Sequence, residues 1–173
     1  YYENGNKSFE GKFLDGEKHG RGIEYNRFGE IIFEGEFIKG KKAKKGIEYN
    51  KELTFEGEYL DGKRWNGKGK EHNKNGKLIF DGEFLNGKRW NGIGKEYEEY
   101  DENEQLIFNG KYCDGVKNGT AREFHQNGKL KYEGQYINGL KNEDGIEFNN
   151  NGDALFKGRY IYGERWIGEI KEY

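Results

Sequence analysis

The sequence predicts an all-β fold: a single-layer antiparallel sheet of consecutive β-hairpins, stacked as a solenoid rod of about seven repeats. Three observations carry this. An eight-residue motif recurs seven times, apolar and polar residues alternate with period two inside it, and Asn-Gly or Asp-Gly marks most of its joints. Alternation bounded by those dipeptides is the strongest short-range hairpin signal. No stretch of useful length shows helical periodicity.

The motif is aromatic-x-Gly-x-aromatic-aliphatic-x-Gly. It reads FEGKFLDG from Phe9, FEGEFIKG from Phe33, FEGEYLDG from Phe55, FDGEFLNG from Phe80, FNGKYCDG from Phe108, YEGQYING from Tyr132 and FKGRYIYG from Phe156. Its central glycines, Gly11, Gly35, Gly57, Gly82, Gly110, Gly134 and Gly158, are spaced by 24, 22, 25, 28, 24 and 24 residues, the longest gap holding the acidic insertion EEYDENEQ around Tyr100. A second segment closes each copy on an aromatic-like residue: Tyr25, Tyr49, His72, Tyr97, Phe124, Phe148 and Tyr173. Along Leu78–Phe84, one face carries Leu78, Phe80, Gly82 and Phe84, and the other Ile79, Asp81 and Glu83, the pattern of a strand with one apolar face. Two strands per copy, each about 4.8 Å wide, put equivalent residues roughly 10 Å apart and give a rod of roughly 65–70 Å.

A single array is thus expected over 1–173, with repeats near 8–31, 32–53, 54–78, 79–106, 107–130, 131–154 and 155–173. Residues 1–7 read as the tail of a truncated preceding copy. Met is absent even at position 1, so the chain reads as a slice of something longer or as a processed form. One two-stranded unit cannot bury enough surface to fold alone, so neighbouring copies must shelter one another.

These repeats resemble the MORN family, whose unit is a Tyr/Phe-x-Gly-x-Trp/Phe/Tyr-x-x-Gly strand followed by a Gly-x-Gly strand, and their Glu-aromatic and Asn-Gly-Lys endings also resemble the longer MORN-variant subtype. The resemblance covers essentially the whole chain. The Gly-x-Gly element stands at Gly20/Gly22, Gly67/Gly69 and Gly92/Gly94, and decays to Gly119-Thr-Ala and Glu143-Asp-Gly145. What the resemblance implies is a curved single-layer sheet whose aromatic groove and surface bind proteins or anionic lipids.

Composition narrows the function. Charged residues are 36% and hydrophobic ones 32%, which leans toward disorder, but aromatics are 16% and there are 29 Gly with no Pro. Thirty Lys and Arg against 32 Asp and Glu leave a net charge of −2 and no bulk attraction to nucleic acid. One cysteine excludes an internal disulfide framework and suits a reducing compartment, so the expected location is the cytoplasm, peripheral to a membrane or the cytoskeleton. No 18-residue apolar run or signal segment occurs.

Stacking the copies converts sites into columns. First-strand and closing rings fill a ring column broken only by His72, and core packing is the leading reading, with a grip on an apolar helix or a sugar as the other. Cys113 takes a column otherwise held by Leu14, Ile38, Leu60, Leu85, Ile137 and Ile161. His19, His72 and His125 fall at three different positions. No catalytic, metal or cofactor constellation emerges, so the expectation is a non-enzyme without a cofactor. Two charge columns are complete: Glu24, Glu48, Glu71, Glu96, Glu123, Glu147 and Glu172, and Lys18, Lys42, Arg64, Arg89, Lys117, Lys141 and Arg165. Either they neutralise each other, or the basic one faces outward as a ladder for anionic headgroups or an acidic partner.

The phrase GKRWNG, at Gly62–Gly67 and again at Gly87–Gly92, places Trp65 and Trp90 in a column that also accepts His19, Ala43, Asn118, Asn142 and Trp166. Such a column is no packing requirement. The candidate partner- or lipid-binding residues are therefore Lys63, Arg64, Trp65, Lys88, Arg89, Trp90, Arg165 and Trp166, with the lysines of GKKAKKG (Gly40–Gly46) added to the same turn edge. The alternative is that these rings lie across the neighbouring hairpin. The candidate groove is Phe55, Tyr59, Phe80, Phe84, Phe108 and Tyr112. The expected function is a non-catalytic scaffold or docking module for a protein partner. A peripheral adaptor for anionic phospholipid is the alternative, and a carbohydrate-binding repeat a weaker third. Open sheet edges also invite homodimerisation.

Overall fold

The structure, a computed structural model, describes residues 1–98 and 104–170. Every element is a strand. The first seven are β1 (Phe9–Leu14), β2 (Glu17–Tyr25), β3 (Ile31–Ile38), β4 (Lys41–Tyr49), β5 (Leu53–Leu60), β6 (Lys63–His72) and β7 (Leu78–Leu85). They are followed by β8 (Lys88–Tyr97), β9 (Leu106–Cys113), β10 (Val116–Phe124), β11 (Leu130–Ile137), β12 (Leu140–Phe148), β13 (Ala154–Ile161) and β14 (Glu164–Ile170). The chain forms two compact units, residues 1–89 and 90–173. Within each, strands lie in chain order and every described pairing is antiparallel, so the fold is all-β and built of consecutive hairpins in a single layer.

The hairpin tips follow from their dipeptides. At Asp15-Gly16, Lys39-Gly40, Asp61-Gly62, Asn86-Gly87, Asp114-Gly115, Asn138-Gly139 and Tyr162-Gly163 both residues have positive φ, the signature of a type I′ turn. From the second tip onward, the turn glycine amide donates to a carbonyl of the preceding hairpin, as in Gly40 to Lys18 (3.0 Å), Gly62 to Lys42 (3.0 Å) and Gly139 to Lys117 (2.9 Å). Between β2 and β3 the chain makes a five-residue turn, which recurs at Asn73–Lys77, His125–Lys129 and Asn149–Asp153: Asn26 N donates to Glu30 O and Gly29 N to Asn26 O, while Asn26 Oδ1 accepts from Phe28 N and Glu30 N. Tyr2–Asn6 makes the same backbone turn, and Asn4 and Asn6 both donate to Arg27 O.

The core is a ladder of rings on one face. In the first unit Phe9, Phe37, Phe33, Tyr59, Phe55, Phe84 and Phe80 meet edge to face in that order, with centroids 5.1–5.7 Å apart. In the second, the order is Tyr112, Phe108, Tyr136, Tyr132, Tyr160, Phe156. Such contacts add about 0.5–1.5 kcal/mol each beyond buried area. Beneath the first rings lie cross-strand pairs of small residues, glycine with glycine in most copies and Gly110 with Ala121 under Phe108. Gly11 opposes Gly22, Gly35 opposes Gly46, Gly57 opposes Gly67, and in the second unit Gly134 opposes Gly145 and Gly158 opposes Gly168. A Cβ on Gly46 would stand 2.4 Å from Phe33 Cζ, so bare backbone is the floor on which the ring rests.

The closing residues are not part of this core. Tyr25, His72, Tyr97, Phe124 and Phe148 are only half-buried and Tyr49 is exposed. Strand alternation explains it: Gly22 and Glu24 share the ring face, so Tyr25 falls on the other, where its hydroxyl donates to Glu10. Tyr173, Glu172 and the centre of the acidic insertion at Tyr100 lie outside the described residues.

Candidate binding surfaces

The basic column sits over the rings. Lys18 lies opposite Phe13, Lys42 opposite Phe37, Arg64 opposite Tyr59 and Lys117 opposite Tyr112, which directs each cation onto the ring face. The cations ride over the first ring of their own repeat: Lys18 over Phe9 (4.9 Å), Lys42 over Phe33 (4.5 Å), Arg89 over Phe80 (5.3 Å), Lys117 over Phe108 (3.8 Å), Lys141 over Tyr132 (4.2 Å) and Arg165 over Phe156 (5.2 Å). Each also meets the Glu column. Lys18 pairs with Glu24 (2.5 Å), Arg64 with Glu48 (2.7 Å), Lys117 with Glu96 (2.9 Å) and Lys141 with Glu123 (3.1 Å), while Arg89 holds Glu71 and Arg165 holds Glu147. Of the two readings of this column, mutual neutralisation is the one seen. Arg64, Arg89 and Arg165 do not form an outward ladder.

Ring hydroxyls complete the network: Tyr59 donates to Glu48, Tyr112 to Glu96 and Tyr136 to Glu123. Burial pushes the Glu48 carboxyl up, but the hydrogen bond from Arg64 and the charges of Lys42 and Arg64 outweigh it and leave Glu48 below its ordinary range. Glu147 is lowered in the same way, burial being overcome by the Arg165 hydrogen bond and the Lys141 charge. Burial first, and then the adjacent glutamates, raise the phenols of Tyr59, Tyr132, Tyr136 and Tyr160. The candidate groove residues Phe55, Tyr59, Phe80, Phe84 and Phe108 are 1%, 4%, 0%, 5% and 2% exposed, and Tyr112 is half-buried against Phe108. In each unit they belong to a packed ring core under a lid of ion pairs, not to an open aromatic groove.

The tryptophans go with a different hairpin geometry. From Gly35 to Gly46, and likewise from Gly11, Gly110 and Gly134 to their partners, the hairpin advances 11 residues and inserts one with positive φ: Gly20, Lys44, Gly119 or Glu143. From Gly57 to Gly67 and from Gly158 to Gly168 it advances 10, with no such residue and with Trp65 or Trp166 before the glycine. The site opposite the next repeat's second ring is then filled in two ways. Gly20, Lys44, Gly119 and Glu143 oppose Phe37, Tyr59, Tyr136 and Tyr160, whereas Gly67 and Gly92 oppose Phe84 and Tyr112. A left-handed residue turns its Cβ aside, and nothing lies within 4 Å of a Cβ built on Gly20; where the backbone is not left-handed, glycine is needed. Gly-x-Gly is therefore two devices. In Gly67-Lys-Gly69 the first glycine pairs back to Gly57 and the second forward to Gly82, a two-residue stagger; in Gly20-Arg-Gly22 the first is a bulge.

Trp65 is 38% exposed, Trp90 half-buried and Trp166 70% exposed. Trp65 accepts the Gly87 amide through its carbonyl (2.8 Å), and the Asn66 side chain accepts from Asn86 N (3.2 Å). Trp-Asn thus also supports the next turn, a role that sequence reading missed. Within GKKAKKG the lysines scatter instead of gathering on the turn edge. Lys41 is at the tip, Lys42 over Phe33, Lys44 in the bulge against Glu36, and Lys45 on the face away from the rings.

The turn edge nonetheless has a distinct surface. On either side of each tip, facing away from the rings, stand Leu14 and Glu17, Ile38 and Lys41, Leu60 and Lys63, and Leu85 and Lys88. Leu14, Ile38 and Leu60 are 54%, 41% and 53% exposed. In the second unit the matching positions are Cys113 and Val116, Ile137 and Leu140, and Ile161, exposed but without lysine.

Among the described residues, no group of His, Cys, Asp and Glu could hold a metal, and no helix is long and apolar enough to cross a membrane. No family model matches the chain, and no curated protein matches its sequence.

Proposed function

We propose that the chain is a MORN-type, non-catalytic docking module that binds an acidic, amphipathic segment of a protein partner along the turn edge of its first unit. The observation that carries this is the row Leu14, Ile38, Lys41, Leu60, Lys63, Leu85, Lys88, in which cations stand among aliphatics that are exposed at Leu14, Ile38 and Leu60 and half-buried at Leu85. Lys63 and Lys88 stand clear of the ion pairs that consume Arg64 and Arg89, so their charge is available to a ligand. Trp65 follows Lys63 along the same edge and supplies a large amphipathic surface of the kind enriched at binding hot spots.

Leu60→Ser/Lys63→Ser/Leu85→Ser, made together, tests the proposal against a labelled helical peptide with Leu and Glu on one face. At least tenfold weaker binding in fluorescence anisotropy is expected; equal binding rejects the site. The same row favours a second reading, an anionic phospholipid surface, because each cation near such a leaflet adds about 1 kcal/mol. Sedimentation with phosphatidylserine vesicles, lost in the triple variant and on raising salt, supports that reading.

A further inference from the structure

The face away from the rings carries a second feature. In the first unit a groove of ≈930 Å³ runs across the strands, floored by the backbone of Gly11, Gly22, Gly35, Gly46, Gly57 and Gly67. One wall is a cross-strand row in register: Glu10 opposes Ile23, Ile23 opposes Glu34, Glu34 opposes Ile47 and Ile47 opposes Glu56. The other wall cancels itself, since Arg21 opposes Glu36 and Lys45 opposes Glu58. Lys68, opposite Glu56, closes the row. Glu10 has Lys7 beside it (2.9 Å), and no ion pair engages Glu34 or Glu56 among the described residues.

The second unit provides an internal comparison. Its groove, ≈1120 Å³, is floored by Gly110, Ala121, Gly134, Gly145, Gly158 and Gly168, and the equivalent row is Asn109, Arg122, Glu133, Ile146, Lys157 and Glu169, with Arg122 paired to Glu133. The residue before the ladder glycine is thus free to be Asn or Lys. In the first unit it is acidic at four successive copies, Glu10, Glu34, Glu56 and Asp81, the last paired with Lys70. Folding does not require that run of acid, so it points to a ligand.

We infer that the groove of the first unit binds an extended cationic peptide in the polyproline II conformation, with Lys or Arg at every third residue. The spacing selects this partner. Alternate strands bring successive glutamates about 9.6 Å apart, and a polyproline II chain repeats every three residues, about 9.3 Å. Cations of one ridge then meet Glu10, Glu34 and Glu56 in turn, and the stems between them lie on half-buried Ile23 and Ile47. A fully extended strand repeats its side chains every two residues, about 6.6 Å, and drifts out of phase within one repeat. The inference is independent of the turn-edge proposal, which uses other residues and the opposite charge.

The test is fluorescence anisotropy of the intact chain with labelled (Pro-Pro-Lys)4, and with (Pro-Lys)4 as a probe of equal charge and different phase. Glu34→Gln/Glu56→Gln changes two exposed side chains, and unchanged circular dichroism verifies its fold. Expected results are at least tenfold weaker binding of (Pro-Pro-Lys)4 by this variant, less than twofold change with Glu133→Gln in the second unit, and several-fold preference for (Pro-Pro-Lys)4 over (Pro-Lys)4. Absence of binding to the unmodified chain, equal affinity for the two probes, or equal loss with Glu133→Gln overturns the inference.

Discussion

Gly46→Ala should be among the most damaging single-methyl additions to the first unit. The new Cβ would lie 2.4 and 2.6 Å from two atoms of the Phe33 ring and 3.1 Å from Glu34 O. Phe33 is 0% exposed and wedged edge-on between Phe37 (5.3 Å) and Tyr59 (5.1 Å), with Lys42 above it. It has no direction in which to retreat. Overpacking costs about 1–3 kcal/mol, and displacing the ring gives up two edge contacts of about 0.5–1.5 kcal/mol each. A loss of roughly 2–6 kcal/mol follows. Urea denaturation measures it, and hydrogen exchange should place the lost protection in β3 and β4. Phe33→Leu makes the diagnosis specific, because a smaller side chain leaves room for the methyl. The double variant should then cost clearly less than the two single changes added together. Strict additivity, or a loss below about 0.5 kcal/mol for Gly46→Ala, would show that the ring does not rest on that backbone.

Two further outcomes are expected. Gly20→Asn should be tolerated within about 0.5 kcal/mol, since its position has space and positive φ and is filled by Lys44 and Glu143 elsewhere; Gly67→Ala, whose Cβ would stand 2.4 Å from Glu56 O and 2.7 Å from the Phe55 ring, should cost several times more in the same denaturation assay. Glu48 and Glu147 have folded pKa values below their ordinary 4.5, so their contribution is complete above that pH and is lost as pH falls through the lowered values. The melting temperature should therefore hold down to about pH 5 and drop below it, and Glu48→Gln should flatten part of the drop.

Much of the architecture was legible because period-two patterning, Asn-Gly joints and a recurring motif all say the same thing. Phe33, Gly35 and Phe37 alternate with Glu34 and Glu36, and that alone sorts core from surface. The closing ring misleads because residue type suggests core while parity places it opposite: Gly22, Ile23, Glu24, Tyr25 read in order put Tyr25 away from Phe9. Arg64 and Arg89 sit beside Lys63 and Lys88 in sequence yet face oppositely for the same reason. The two hairpin classes left a signal in simple counting, one residue fewer between the paired glycines wherever Trp is present. Their cause was not legible, since nothing in KRWNG against KKAKKG announces which residue will take positive φ. The glycine-floored groove was missed because its walls are polar and its floor has no side chains, so no column of large residues marks it.

From the second tip onward, the amide of each turn glycine reaches back to a carbonyl of the hairpin before it. Each finger therefore finds its mooring already in place when it leaves the ribosome, and none has to wait for what is translated later. Partners in these contacts are separated by 20–25 residues, as in Lys42 with Gly62 and Trp90 with Gly115, so loop closure costs no more for a late copy than for an early one. Such a polymer can gain or lose whole units by gene duplication or deletion with little kinetic penalty, which gives evolution a simple way to change its length.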